Sequence, residues 1–275
     1  MLTNKKKVLL DVLDITNKYG VNSRTFIQKL IFLLKKEYHF DEFIKFYSFF
    51  PYNYGPFSNL VYRDINLLKK EDMITDENKL TEKGMRNRAH DPKIDGPIEH
   101  LINEFKSLDP LKKYIYAKYP EYTIKSKLIV HNNVKNEPGL FTVGYESKDL
   151  DSFLDVLIQN RIDIVIDVRN NPFSMKFDFI KEKLKEHLAK IDIEYQHVPS
   201  LGIETELRQN LKTDCDYANL FKVYKKELPA HKVELAMIGE LSKTKRVVLL
   251  CFEANPNHCH RKIIADYIDT KAANI

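Results

Sequence analysis

Residues 246–268, RVVLLCFEANPNHCHRKIIADYI, constrain this chain more than any other stretch. Residues 247–251 are an unbroken apolar run, the pattern of a strand covered on both faces in an α/β sheet. Pro256 stops that strand, Asn257 reads as an N-cap, and Ile263, Ile264, Tyr267 and Ile268 then recur at helical spacing. Cys251 and Glu253 fall at the strand exit, and Cys259, His260 and Arg261 in the first turn of the helix. Ligands of open α/β sheets bind beyond the carboxyl ends of the strands. A helix starting there offers free backbone N–H groups and a positive dipole end. The stretch predicts an anion-binding site that contains a thiol.

The preceding residues repeat the same grammar. Strands are expected at 140–143, 164–168 and 193–198, and helices at 150–157, 180–188, 217–227 and 231–242. This order predicts an α/β fold, a mostly parallel sheet with helices on both faces. Each strand ends in polar residues: Tyr145 and Glu146, then Asp167, Arg169 and Asn170 with Ser174 nearby, then His197 and Ser200, then Cys251 and Glu253. In a parallel sheet those ends share one edge, so the groups are expected to converge.

The first 90 residues read differently. Helical stripes at 5–19, 22–34 and 58–68 precede short strands near 73–75 and 80, and Tyr-Gly-Pro at 54–56 marks a turn. A strand is expected at 46–50. Three helices and a β-turn make the plan of an α+β winged helix-turn-helix domain. Its helix-rich successor, 91–138, reads as a connector with a polar linker at 131–138, and 139–275 as the α/β domain. The net charge of +5 lies in the first part: residues 1–88 hold sixteen Lys and Arg against eleven Asp and Glu. That excess is compatible with nucleic-acid binding or with a lysine-rich solvated surface. No run approaches the roughly 20 apolar residues of a membrane span. With no signal-peptide pattern at the start, a cytoplasmic location is expected, and three cysteines make no disulfide framework. Cys215, in Thr-Asp-Cys-Asp, stands apart from every motif.

The set TVGYES, IDVRNNPFS, YQHVPSLG and CFEANPNHCHR resembles the family called domain of unknown function 488 over residues 140–270. The resemblance marks Gly144, Asp167, Arg169, Pro172, Ser174, His197, Leu201, Gly202, Cys251, Glu253, Cys259, His260 and Arg261, and implies a fold and a site rather than a reaction. FYSFFPYNYGPFSNLVYRDINLLKKEDMI resembles the winged-helix domain of the Panacea antitoxin-chaperone group, of defence-related proteins. Asp167-Val168-Arg169 and the Cys-bearing loop are similar in architecture to rhodanese and cysteine-phosphatase domains, with different spacing.

Three readings fit the Cys-His-Arg cluster. Cys259 is a nucleophile with its pKa lowered by the helix N-terminus and Arg261. Arg169 and Arg261 then grip a phosphate, with Tyr145, Glu146, Asn170, Ser174 and Ser200 around it, and Asp167, Glu253, His197 or His260 serve as base or orienting group. Alternatively, Cys251, Cys259 and a histidine from 197, 258 or 260 bind zinc, although Cys-x7-Cys-His is not a standard spacing. Otherwise these side chains only pack the sheet edge. The leading expectation is an enzyme acting on a nucleotide or nucleic-acid substrate, recruited to DNA or to a protein partner by the winged helix. The alternative is a non-catalytic DNA-binding regulator or antitoxin-like protein whose C-terminal domain senses a small anion or nucleotide.

Overall fold

The computed structural model describes residues 2–129, 136–204, 206–208, 211, 213–269 and 271–275. It divides into two compact units, Met1–Val130 and His131–Ile275. The first contains α1 (Asn4–Lys18), α2 (Arg24–Tyr38), α3 (Phe40–Phe43), β1 (Phe50–Tyr52), β2 (Gly55–Phe57), α4 (Asn59–Lys70), α5 (Glu82–Arg86), α6 (Pro92–Phe105) and α7 (Leu108–Lys118). Ser23 and Ser58 cap α2 and α4 by accepting from the backbone N–H groups of Phe26 and Val61.

The Tyr-Gly-Pro turn is a β-hairpin, with β1 and β2 antiparallel and Gly55 at φ +91°. A strand over 46–50 is not formed. Only Phe50 enters β1, while Phe46, Tyr47 and Phe49 are buried as packing residues in the core. After α4 the chain turns back through a single antiparallel bridge, Ile74 to Leu80. The helices expected to form a connector belong to this unit. Ile98, Leu101, Ile102 and Phe105 of α6 and Leu111 and Ile115 of α7 are buried in the same core as α1 and α2. Their apolar faces have to be covered, and the stripes of α1 and α2 cover them.

Lys29 of α2 is buried in this unit, its ammonium donating to the Pro56 carbonyl at 2.9 Å. Burial, reinforced by the charge of Lys112, pushes its pKa down to about 7. In the unfolded chain it stays protonated to about pH 10.4. Below pH 7 both states carry the proton, and the folded state bears the whole cost of the buried charge. Above pH 7 the unfolded state binds more protons, so the stability of the unit rises with pH, by at most about 1.4 kcal/mol per unit. Lys29→Met removes that slope. Urea midpoints of wild type and variant, followed from about pH 6.5 to about 9.5, are expected to converge; parallel curves would refute the assignment.

The second unit holds β3 (Gly139–Gly144), α8 (Leu150–Gln159), β4 (Ile164–Asp167), α9 (Lys181–Ala189), β5 (Glu194–His197), α10 (Asp214–Glu227), α11 (Lys232–Ser242), β6 (Arg246–Cys251), α12 (His260–Ile268) and β7 (Ala273–Asn274). The five strands form one parallel sheet in the order β5-β4-β6-β3-β7. The α/β expectation is met, with an additional edge strand, β7, whose two exposed residues carry no apolar signal.

Period-two alternation sends Leu140, Ile164, Ile166, Val247, Leu249 and Cys251 to one face. There they pack with Tyr224 of α10, Leu235 and Ile238 of α11, and Ile263 and Ile264 of α12. On the other face Phe153 of α8 meets Phe179 edge-on, and Phe179 stacks on Tyr145 at 4.2 Å. Helices therefore cover both faces, and every strand delivers its carboxyl end to one edge.

Candidate functional site

The strand-end residues separate into two groups, because alternation along Asp167-Val168-Arg169 continues past the end of β4. Asp167 and Arg169 turn to the α8 face. Asp167 is fully buried and receives Arg169 through two parallel bonds, Nε to Oδ1 at 2.8 Å and Nη2 to Oδ2 at 2.5 Å. Arg169 Nη1 donates to the Tyr145 hydroxyl at 2.9 Å and to the Phe179 carbonyl at 3.0 Å. Tyr195 donates to Asp167 Oδ2 at 2.7 Å. Burial opposes the charge on Arg169, but the Asp167 bonds more than offset it and hold its pKa above the ordinary value.

Val168 lies between them, and its carbonyl points to the other group. His260 Nε2 is 2.9 Å from that oxygen. Cys251 Sγ donates to Glu253 Oε2 at 3.3 Å and sits 3.9 Å from His260 Nδ1. Glu253 is also ion-paired with Arg208. Arg261, fully buried, donates from Nη1 to the Glu253 carbonyl at 2.6 Å, and from Nη2 to the Ala254 carbonyl and Asn274 Oδ1, each at 3.3 Å. Its Nε has no partner.

Several expectations are corrected by this geometry. Arg169 and Arg261 do not face a common anion. Each spends its guanidinium on protein acceptors, one around Asp167 and the other around the β6 exit loop. Asn257 does not cap the last helix: residues 256–258 form a 3-10 turn capped by Asn255, and Cys259 is the N-cap of α12. The Cys259 thiol is not lowered by that helix. Burial, and then its contact with Cys251, pushes its pKa well up.

The remaining expected residues are dispersed. His197 Nε2 lies 2.8 Å from the Arg169 carbonyl, on the side of the ion pair. Glu146 accepts from Ala254 N–H at 2.9 Å, Ser174 accepts from Lys176 N–H within its own turn, and Ser200 donates to Glu234. Asn170 is exposed, with its backbone pressed against Gly202, where a Cβ would come within 2.1 Å of Asn170 N.

What the structure does bring together is Cys251, Cys259 and His260. Their ligating atoms all lie within 4.8 Å of one another. Cys259 also lines a cleft of about 680 Å³ between α10 and α12. The cleft is bordered by Lys222, Lys225, Tyr217 and His258, by Asp214, and by Lys262 paired with Asp266 at 2.9 Å. His258 stacks on Tyr217 at 4.5 Å and pairs with Asp214 at 2.9 Å. The lysines were missed from the sequence, although Lys222 and Lys225 stand three apart on α10 and so share a face.

Residues 149–268 match the family model described as Domain of unknown function DUF488. The match runs from the N-cap of α8 to the end of α12, and includes β4, the ion pair and the Cys/His cluster. It bears out the family resemblance of the C-terminal motifs from α8 onward. No curated protein and no solved structure matches the chain significantly. Among the described residues, no helix is long and apolar enough to cross a membrane.

Proposed function

We propose that the protein is an enzyme acting on a phosphate-bearing substrate, a nucleotide or a stretch of nucleic acid, bound in the cleft between α10 and α12. The observation that carries this reading is Cys259, which borders a lysine-lined cleft on one side and touches buried Cys251 and His260 on the other. A binding module needs only the lysines. A thiol on the cleft wall, backed by a second thiol and an imidazole buried behind it, favours chemistry over sensing. The anion would be met by Lys222 and Lys225 rather than by the buried arginines, since Lys262 is paired with Asp266 at 2.9 Å on the same wall. The first unit would recruit the substrate or a partner protein as a winged-helix-like domain, with α4 presenting Arg63, Asn66 and Lys70 ahead of the turn closed by Ile74 and Leu80.

The test is binding of a single-stranded oligonucleotide by the full chain against salt. Each phosphate contact contributes about 0.7 to the log–log slope, so Lys222→Ala with Lys225→Ala is expected to lower it by about 1.4. Mass spectrometry of a panel of nucleotides and oligonucleotides incubated with the chain then looks for a covalent change, which Cys259→Ser is expected to abolish. No binding at low salt, or a slope unchanged by the double substitution, would overturn the placement of the substrate.

A further inference from the structure

Cys259 on the cleft wall and the thiol and imidazole buried behind it are arranged more strictly than packing requires. His260 Nε2 must carry the ring proton, because the Val168 carbonyl 2.9 Å away can only accept. Nδ1 therefore holds the lone pair, and it is the nitrogen that faces Cys251 Sγ, at 3.9 Å. Metal-ligating histidines are held in this way, with the nitrogen opposite the ion donating to a carbonyl that fixes tautomer and ring orientation. Cys251 Sγ, Cys259 Sγ and the imidazole nitrogen already stand within 4.8 Å of one another in a buried site.

We propose that Cys251, Cys259 and His260 Nδ1 bind one divalent ion of the zinc class. Two sulfurs and a nitrogen suit zinc and exclude the oxygen-seeking magnesium and calcium. Binding releases the two thiol protons to solvent, and two thiolates neutralise the dication, so the buried site carries no net charge. Glu253 does not disturb that balance, since its own charge is met by Arg208. Its carboxylate accepts from the Cys251 thiol at 3.3 Å before the ion binds, and that bond is given up when the thiol loses its proton to the ion. The spacing Cys-x7-Cys-His is unusual because the ligands come from two elements: Cys251 closes β6, while Cys259 and His260 open α12. The sheet topology, not a local loop, brings them together. Of the three, Cys259 borders the cleft, so a fourth, exchangeable ligand reaches the ion from there. That open position is the mark of a catalytic rather than a structural zinc site. The assignment deepens the enzymatic reading above and rests on it only for the use of the fourth position.

The experiment is metal analysis of the full chain, purified without chelator. About one equivalent of zinc is expected, falling below about a tenth in Cys251→Ser and in Cys259→Ser and unchanged in Cys215→Ser. Cobalt added to the chelator-stripped chain is expected to give a thiolate charge-transfer band and the visible bands of a tetrahedral ion. Should a variant fail to fold, the cobalt spectrum of the wild type decides alone. A folded wild-type chain that holds less than about a tenth of an equivalent after exposure to excess zinc, with no cobalt bands, would overturn the proposal. So would a Cys251–Cys259 disulfide found by mass spectrometry. Metal content is read without substrate and oligonucleotide binding is read separately. Absent metal with retained binding sinks the metal site alone; bound metal without oligonucleotide binding sinks the substrate reading alone.

Discussion

Asp167→Ala is expected to destabilise the second unit by about 3–5 kcal/mol, the largest loss we anticipate from any polar substitution in it. The reason is what it leaves behind. Arg169 is almost wholly buried and makes two parallel bonds to Asp167. Without the carboxylate its charge stays buried with no anion against it, held only by neutral acceptors such as the Tyr145 hydroxyl and the Phe179 carbonyl. Tyr195 loses its carboxylate acceptor at the same time. Removing both charges is a different matter, because a buried ion pair replaced by apolar groups of similar volume costs little or even stabilises. Asp167→Leu combined with Arg169→Met should therefore recover most of the loss. Urea unfolding of the single and double variants, analysed as a cycle, measures the coupling. A single-variant loss below about 1 kcal/mol would show that the pair is not the electrostatic anchor its geometry implies.

The same pair shows where the sequence could be read and where it misled. The order of strands and helices in the second unit was legible, because long apolar runs such as 247–250 and helical stripes such as Phe153-Leu154-Leu157 are packing signals that survive without coordinates. So was the gathering of polar groups at one edge, which follows from parallel strands alone. What each group does at that edge was not legible. Asp167 and Arg169 looked like a base and an anion clamp, yet they are two apart on a strand and therefore share a face, a spacing at which opposite charges satisfy each other. His260 and Arg261 are neighbours in sequence but diverge on the helix, one toward Cys251 and the other toward the β6 exit loop. β7 escaped notice because Ala273 and Asn274 are exposed and carry no apolar pattern. In the first unit, α6 and α7 looked like a linker between Pro-containing breaks. Only the burial of Ile98, Leu101 and Ile115 reveals that the core of α1 and α2 is incomplete without them.

Gly144→Ala is expected to cost about 3 kcal/mol and to dismantle the Cys/His cluster without touching any of its members. Gly144 ends β3 in register with Cys251 at the end of β6. The exit loop of β6 folds back over it, held by Tyr145 and Glu146 N–H groups, which donate to the Phe252 carbonyl at 3.1 and 2.9 Å. A Cβ at residue 144 would lie 1.8 Å from the Glu253 carbonyl oxygen and 2.7 Å from its carbon, both backbone atoms that cannot rotate away. The loop must lift. The Glu253 carbonyl then leaves Arg261, whose Nη1 depends on it at 2.6 Å, and Glu253 and Cys251 shift against α12. Disturbing the shell that orients metal ligands typically costs 10- to 100-fold in affinity, so zinc affinity should fall by at least about tenfold. Gly239→Ala in α11 is the matching control. Its added methyl would meet only Ile268 Cγ2 at an ordinary 3.5 Å, and alanine inside a helix gains about 0.5–1 kcal/mol over glycine. Thermal unfolding and zinc titration of both variants separate the effects. If Gly144→Ala matched the wild type in stability and metal affinity, the close approach of the two strand ends would not be what holds the site together.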